Sequence, residues 1–255
     1  MNKTASVTLA LCCAVLALVG SRAKAEEIDS GDVLIRAMHD RYQNTWYHTI
    51  NFWQKSTTYK SDGTSQSETW YEAGWLPGKL RIDIGPAGAG NGMVFANDTL
   101  TSFKEGKVAA TRPYVHVLLM MAFDVYVQDP ETTMNRLKEQ GFDLSKFHED
   151  TWDGEPVYVV GAQAGDLKSK QFWIEKKRLV LSRMIEASDQ DKTKIRDIRM
   201  SDFRELSGGW VAAKLELYMN GEKVFGEDYA DIQGNPKLDP AMFDPAQYNT
   251  THWEK

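Results

Sequence analysis

The 255-residue chain carries 30 Lys and Arg against 36 Asp and Glu, a net charge of −6, and only two cysteines. No basic excess is available to neutralise phosphates, which argues against nucleic acid as a partner. Cys12 and Cys13 are adjacent near the N-terminus, so neither disulfides nor thiolate metal sites can brace the rest of the chain, and stability must come from an ordinary apolar core.

Lys3, the apolar run over residues 7–19 and the small-x-small triplet Ala23-Lys24-Ala25 predict a cleavable export signal over residues 1–25, with the mature chain starting at Glu26. The run is shorter than the roughly 20 residues of a membrane-spanning helix. Leu11, not a small residue, precedes Cys12, which speaks against lipidation there. Without Lys3, Arg22 and Lys24 the mature chain has 27 basic and 36 acidic residues, a net charge of −9. Nothing resembling a linker or an internal repeat divides residues 26–255, so a single domain is expected.

Asp29, Ser30 and Asp32 offer caps and acidic residues for the start of a helix, and Leu34, Met38 and Tyr42 follow at a spacing of four. Strands follow over 47–59, 65–75, 80–84, 92–96, 100–104 and 107–110. Alternation is strictest in Lys79-Leu80-Arg81-Ile82-Asp83-Ile84, apolar on one face and charged on the other. Ser61-Asp62-Gly63, Pro77-Gly78, Asn97-Asp98 and Glu105-Gly106 supply hairpin turns. Residues 115–127 form an almost unbroken apolar run whose length and Met and Leu content favour a buried or cavity-facing helix. Asp129-Pro130 then opens a further helix that Gly141 closes. Six more strands, over 155–162, 170–175, 179–186, 193–200, 210–219 and 223–232, complete the chain, with Asn220-Gly221 as the strongest hairpin turn. The fold class expected is mainly β (α+β), an incomplete antiparallel barrel with two or three helices lidding its concave face.

Catalytic motifs are absent: no Gly-x-Ser-x-Gly elbow, phosphate loop, His-Glu-x-x-His or cysteine nucleophile. His148 with Glu149, Asp150 and Asp153 is the one local cluster of ligand-type residues, and His116 is its one candidate partner in space. Its spacing fits no metal motif, and it reads as a polar loop before the strand at Glu155. His39-Asp40-Arg41 reads as the solvated side of the first helix. Trp46, Trp53, Trp70 and Trp75 fall among the first strands, where a sheet needs large side chains to pack. Together with the Met-rich run they also suit a ligand of variable shape such as an acyl chain. If Leu80, Ile82 and Ile84 face the concavity, Arg81 faces outward; the opposite assignment puts Arg81 with Lys79 and Asp83 inside and makes a polar, catalytic-type cavity, and the sequence does not fix which face is inner.

The first helix, residues 70–83, the hairpin over 93–107, the strand Gln171-Phe172-Trp173-Ile174 leading to Arg183, and the closing Leu238-Asp239-Pro240-Ala241-Met242-Phe243 resemble the periplasmic outer-membrane lipoprotein carrier (LolA-like) superfamily. The resemblance implies an incomplete barrel closed by helices that holds acyl chains in an apolar hollow. It implies a non-enzymatic, cofactor-free periplasmic carrier of lipid or lipoprotein acyl chains, working with an inner-membrane transporter or an outer-membrane acceptor. Leu80, Ile82, Ile84, Met93, Phe95, Leu119, Met120 and Phe123 are the expected lining. The segment over 113–152 lengthens the chain relative to that family and is expected to enlarge the lid. The competing expectation is an envelope interaction module whose core is filled by its own side chains. A hydrolase built on His148 and its neighbouring acids ranks last.

Overall fold

The structure is a computed structural model that describes residues 27–188 and 191–250; the expected export signal lies outside these residues. Helix α1 (Gly31–Tyr42) leads into strands β1 (Thr49–Tyr59), β2 (Ser65–Trp75), β3 (Lys79–Ile84), β4 (Asn91–Ala96), β5 (Thr99–Lys104) and β6 (Lys107–Pro113). Helix α2 (Val117–Ala122), a 3-10 turn (Asp124–Tyr126) and helix α3 (Pro130–Glu139) follow. Strands β7 (Phe147–Trp152), β8 (Glu155–Val160), β9 (Gln171–Glu175), β10 (Val180–Ala187), β11 (Ile195–Leu206), β12 (Gly209–Met219) and β13 (Glu222–Gly234) precede two closing 3-10 turns, Pro240–Phe243 and Pro245–Gln247.

All 13 strands form one antiparallel sheet in the order β6-β5-β4-β3-β2-β1-β13-β12-β11-β10-β9-β8-β7. Two hairpin meanders, β1 to β6 and β7 to β13, are joined where β1 pairs with β13 from Ile50↔Gly234 to Thr58↔Phe225. The sheet is not closed, and β6 and β7 are its edges. Local sequence dictates the tight turns: Asn97 and Asp98 (φ 52° and 54°) and Asn220 and Gly221 (φ 51° and 87°) sit left-handed in two-residue loops, whose twist matches that of the strands they join.

Helix α1 begins where Ser30 Oγ accepts the Val33 N–H at 3.4 Å, with Asp32 in its first turn and His39 and Arg41 in its last. It buries Leu34, Ile35, Met38 and Tyr42 against the inner face of the sheet, in one core with Ile82, Phe95, Phe172, Ile174, Met200 and Leu215. His39 Nδ1 lies 3.1 Å from Asp40 Oδ1 on the exposed side of the helix. Helix α3 opens as its sequence predicts, with Asp129 Oδ1 accepting the Thr132 N–H at 3.0 Å and Pro130 at the first position.

Two expectations need correction. The apolar run over 115–127 is not one helix: α2 stops at Phe123 (φ −137°), and the chain continues as a 3-10 turn. Asp124 explains the break, because its buried carboxylate turns away to accept the Gly78 N–H at 3.0 Å. The acidic stretch around His148 is no loop but strand β7, paired with β8 from Phe147↔Val160 to Trp152↔Glu155. An edge strand keeps charged side chains because they block further pairing, and that removes the apolar alternation by which strands are read.

Arg81 faces outward, as the phase of β3 requires, yet it is only 1% exposed because the C-terminal segment lies across this outer face. Its guanidinium bonds to Asp83 (Nε to Oδ2, 3.0 Å) and to the carbonyls of Met242 (3.4 Å) and Tyr248 (3.0 Å), 4.4 Å from the Tyr248 ring. Tyr248 stacks on Phe103 at 3.8 Å, and Met242 and Phe243 pack on Ala73. Gly92 makes this approach possible, since a Cβ there would lie 2.1 Å from the Ile82 carbonyl and 2.4 Å from Tyr248 Oη. Arg183 is the outer-face counterpart on the second meander, giving two 2.8 Å bonds to Asp197 and lying over the Trp152 and Trp173 rings.

Replacing Arg81 with Ala strips two buried carbonyls and a carboxylate of their donor, which is expected to cost about 3 kcal/mol and to loosen the C-terminal segment. Urea denaturation, with limited proteolysis after residue 237, measures both effects; an unchanged midpoint would show that the tail docks without Arg81.

Candidate functional site

Cross-strand register assembles the inner face in rows. Leu100, Phe95, Leu80, Gly74 and Ile50 form one row across β5 to β1, and Ser102, Met93, Ile82, Glu72 and Phe52 form the next. Asn91, Ile84, Trp70, Gln54 and Tyr229 form a third, reaching β13. The eight residues expected as lining therefore share one side: Leu80, Ile82, Phe95, Leu119 and Met120 are buried in the main core, and Ile84, Met93 and Phe123 are half-buried and packed against it. Burial within this core does not distinguish a ligand lining from the fold's own packing.

The chain from β6 to α3 lies over these rows and acts as a cover. Met121, Val125 and Tyr126 are buried in the same core, and Tyr126 Oη donates to the Leu179 carbonyl at 3.0 Å. Val117, Leu118 and Phe123 remain half-buried. A crevice of about 20 Å³, bordered by Phe95, Tyr114, His116, Leu119, Met120 and Asp124, separates this cover from β4. His116 caps α2, its Nδ1 accepting the Leu119 N–H at 3.1 Å, and burial lowers its pKa to about 4. Asp124, 4% exposed, is pushed up to about 7 by burial, against the Gly78 N–H bond that favours its ionised form.

The third row ends in polar groups that the sequence reading did not single out. Gln54 and Ser56 of β1 are fully or almost fully buried, and Gln54 Nε2 donates to Ser56 Oγ at 3.0 Å. Register places Gln54 opposite Tyr229 and Ser56 opposite Glu227, and Tyr229 Oη donates to Glu227 Oε2 at 2.9 Å. Burial raises Glu227 above the ordinary carboxylate range, and it raises Glu72 well above, with the nearby Glu227 charge adding to the effect. Half-buried Trp70, Phe225 and Tyr229 surround this cluster. The signal in the sequence was the phase of β2: Glu72 lies two residues from Trp70 and Gly74, on the face that β3 fills with isoleucines.

His148 does not join His116. It sits on β7, with Nδ1 3.2 Å from the Ala162 carbonyl, and no group of three or more His, Cys, Asp or Glu is placed to hold a metal among the described residues. The four early tryptophans separate: Trp46 is buried and stacks on Tyr126 at 3.7 Å, and Trp53 is exposed and bonds Asp231 from the outer face. Trp75 meets Phe243 on the outer face, so Trp70 alone of the four borders the polar cluster. An outer-face groove of about 540 Å³, bordered by Trp152, Val157, Arg178, Arg199 and Glu216, is the larger concavity. Its charged walls suit polar contacts more than acyl chains.

Comparison with known proteins locates the fold. No family model and no curated protein matches the sequence. Among solved structures, the chain is similar to a DUF1329 family protein from Desulfovibrio piger, with a TM-score of 0.56 and 14% identity over 84% of this chain and 95% of that one. A LolA superfamily protein from Nitrosomonas europaea gives 0.52 and 12%, over 82% and 96%. A protein domain from Vibrio parahaemolyticus, described as outer membrane lipoprotein-sorting, gives 0.52 and 11%, over 86% and 98%. The fold is therefore LolA-like: an open, mostly β sheet with helices on one face.

Asp124 holds its proton in the folded chain up to about pH 7, whereas the unfolded chain releases it near pH 4, so its contribution to stability falls between those values and is constant above them. Asp124→Asn is expected to gain stability relative to the parent across that window, by up to a few kcal/mol, and to hold the gain at higher pH. Chemical denaturation at pH 4.5, 6 and 8 reads the difference. A constant difference would assign Asp124 an ordinary pKa.

Proposed function

We propose that this protein is a non-enzymatic carrier that shelters acyl chains of lipids or lipoproteins between the inner face of its sheet and the cover built from α2 and the 3-10 turn. The observation that carries the reading is the apolar inner face itself: rows of Leu, Ile, Met and Phe converge under a helix of six residues that is interrupted at Phe123. The LolA-like fold supports it, as does the Vibrio parahaemolyticus neighbour described as outer membrane lipoprotein-sorting. The export signal expected over residues 1–25 would place the carrier in the periplasm, where it would receive cargo from an inner-membrane transporter or pass it to an outer-membrane acceptor.

Uptake requires the cover to move, because the crevice beside Phe95 and Leu119 is about 20 Å³, room for little more than one water. Burial of a methylene is worth about 0.8 kcal/mol, so a dozen yield on the order of 10 kcal/mol of gross stabilisation to set against displacing α2. That same narrow crevice favours the second reading, an envelope interaction module whose hollow is permanently filled by its own side chains.

Native mass spectrometry of the mature protein purified without detergent, followed by organic extraction, separates the two. The carrier reading expects stoichiometric lipid or uptake of a fluorescent acyl probe. Ile84→Glu and Met93→Glu, at half-buried positions, are expected to lower probe affinity at least roughly tenfold with little change in melting temperature. Leu80→Glu, at a buried position, is expected to unfold the chain. An apo mass with no probe uptake would sink the carrier and leave the filled-core module.

A further inference from the structure

Glu72 poses a chemical problem that the fold leaves unsolved. Its side chain is only 7% exposed, its cross-strand neighbours are Phe52 and Ile82, and no hydrogen bond or ion pair reaches its carboxyl group among the described residues. Buried carboxyl groups without a partner are costly, and natural folds satisfy them. Beside it, Gln54 is fully buried and its Oε1 accepts nothing, although its Nε2 is engaged by Ser56. Glu227 has one oxygen bound by Tyr229 Oη and is also reached by the Gln54 amide, whose donors are then committed to Ser56 and Glu227. The cluster thus presents acceptors well in excess of donors, on the same inner face as Ile82, Ile84 and Met93.

We propose that Glu72, Gln54 and Glu227 form a head-group site that receives a primary ammonium, so that the carrier prefers amphiphiles bearing a cationic amine next to their chains. This rests on the carrier reading and adds a chemical class to its cargo. An ammonium carries three donors and no acceptor, which matches an orphaned amide oxygen flanked by two carboxyl groups. Its charge also offsets the carboxylate that burial otherwise disfavours. An alcohol supplies one donor and no charge, and a carboxylate brings more acceptors to a place already short of donors. Half-buried Trp70 and Phe225, with ring centroids 5.5 Å apart, border the cluster and leave it close to solvent, where a head group would sit while its chain follows the row of Ile84 and Met93.

The test is displacement of a fluorescent acyl probe from the mature protein by three ligands of equal chain length: dodecylamine, dodecanol and dodecanoate. The expected result is that dodecylamine competes at least roughly tenfold better than either of the others. Glu72→Gln and Glu227→Gln, each close in shape to the parent residue, are expected to remove that preference without changing the affinity for dodecanol. Glu105→Gln, an exposed position outside the cluster, controls for attraction of cations to an acidic protein and is expected to keep the preference. Equal competition by all three ligands, or a preference that survives Glu72→Gln and Glu227→Gln, would overturn the head-group site and leave the carrier standing. A preference for dodecanoate would overturn it too. Probe uptake failing altogether would remove the carrier reading and this inference with it.

Discussion

The pairing of β1 with β13 is the contact on which the rest of the structure depends. Every other strand pair in the sheet is a hairpin between neighbours in sequence, formed at small loop-closure cost, whereas β1 and β13 lie at the two ends of the strand order along the chain. Their union turns two meanders into one surface wide enough to need covering on both faces. It also sets Gln54 and Ser56 beside Glu227 and Tyr229, which no local pattern could do. The bulge between Asn51 and Trp53 shifts the register there, and Phe52 stacks on Tyr229 at 4.3 Å on the inner side of it.

The two faces are covered by different physics. On the outer face the C-terminal segment is held by directional bonds from Arg81 and by Tyr248 lying flat on Phe103, a seal that is lost only if buried charges and carbonyls give up their partners. On the inner face α2 and its 3-10 turn are held mainly by apolar contact, with the Gly78 to Asp124 and Tyr126 to Leu179 bonds as the polar ties that are evident. Apolar contact is non-directional and can be exchanged for contact with another apolar body at little net cost. A short helix also gains little from its own backbone cooperativity, since nucleation dominates at six residues. Of the two covers, the inner one is therefore held by the contacts that are more readily exchanged for other apolar contacts.

Much of this was legible in the sequence because antiparallel hairpins announce themselves locally. The alternation of β3, the left-handed turns at Asn97-Asp98 and Asn220-Gly221, and the capped start of α3 each follow from a few neighbouring residues. What stayed hidden depended on contacts distant in sequence. Strand β7 is an edge strand with charges on it, so its pairing with β8 showed no periodicity. The alternation of β3 sets Arg81 on the face opposite Leu80 and Ile82 without saying which face is outer, and its burial comes from residues more than 150 positions away, with Met242 and Tyr248 supplying the carbonyls. The polar cluster was missed for the same reason: Glu72 reads as one charge in an aromatic strand until the register to Ile82 and Phe52 shows which way it points.

The distribution of carboxyl groups between the faces follows from who is available to neutralise them. On the outer face, burial works against Asp197 and Glu216, yet the guanidinium groups of Arg183 and Arg199 and the ammonium groups of Lys223 and Lys214 outweigh it and hold both below their ordinary range. On the inner face no cation bonds Asp124, Glu72 or Glu227 among the described residues, the Arg136 charge only partly offsets burial at Asp124, and burial raises all three. A fold could have placed hydrophobic residues at those inner positions and been more stable, because unpaired buried carboxyl groups oppose folding. Asp124 has a structural reason to be there, ending α2 and gripping the β2 to β3 turn. Glu72 has none within the chain, since no partner for it exists among the described residues and both its cross-strand neighbours are apolar. Residues that weaken a fold without serving its packing are the ones to explain by what the fold must meet, and the inner face is where this molecule concentrates them.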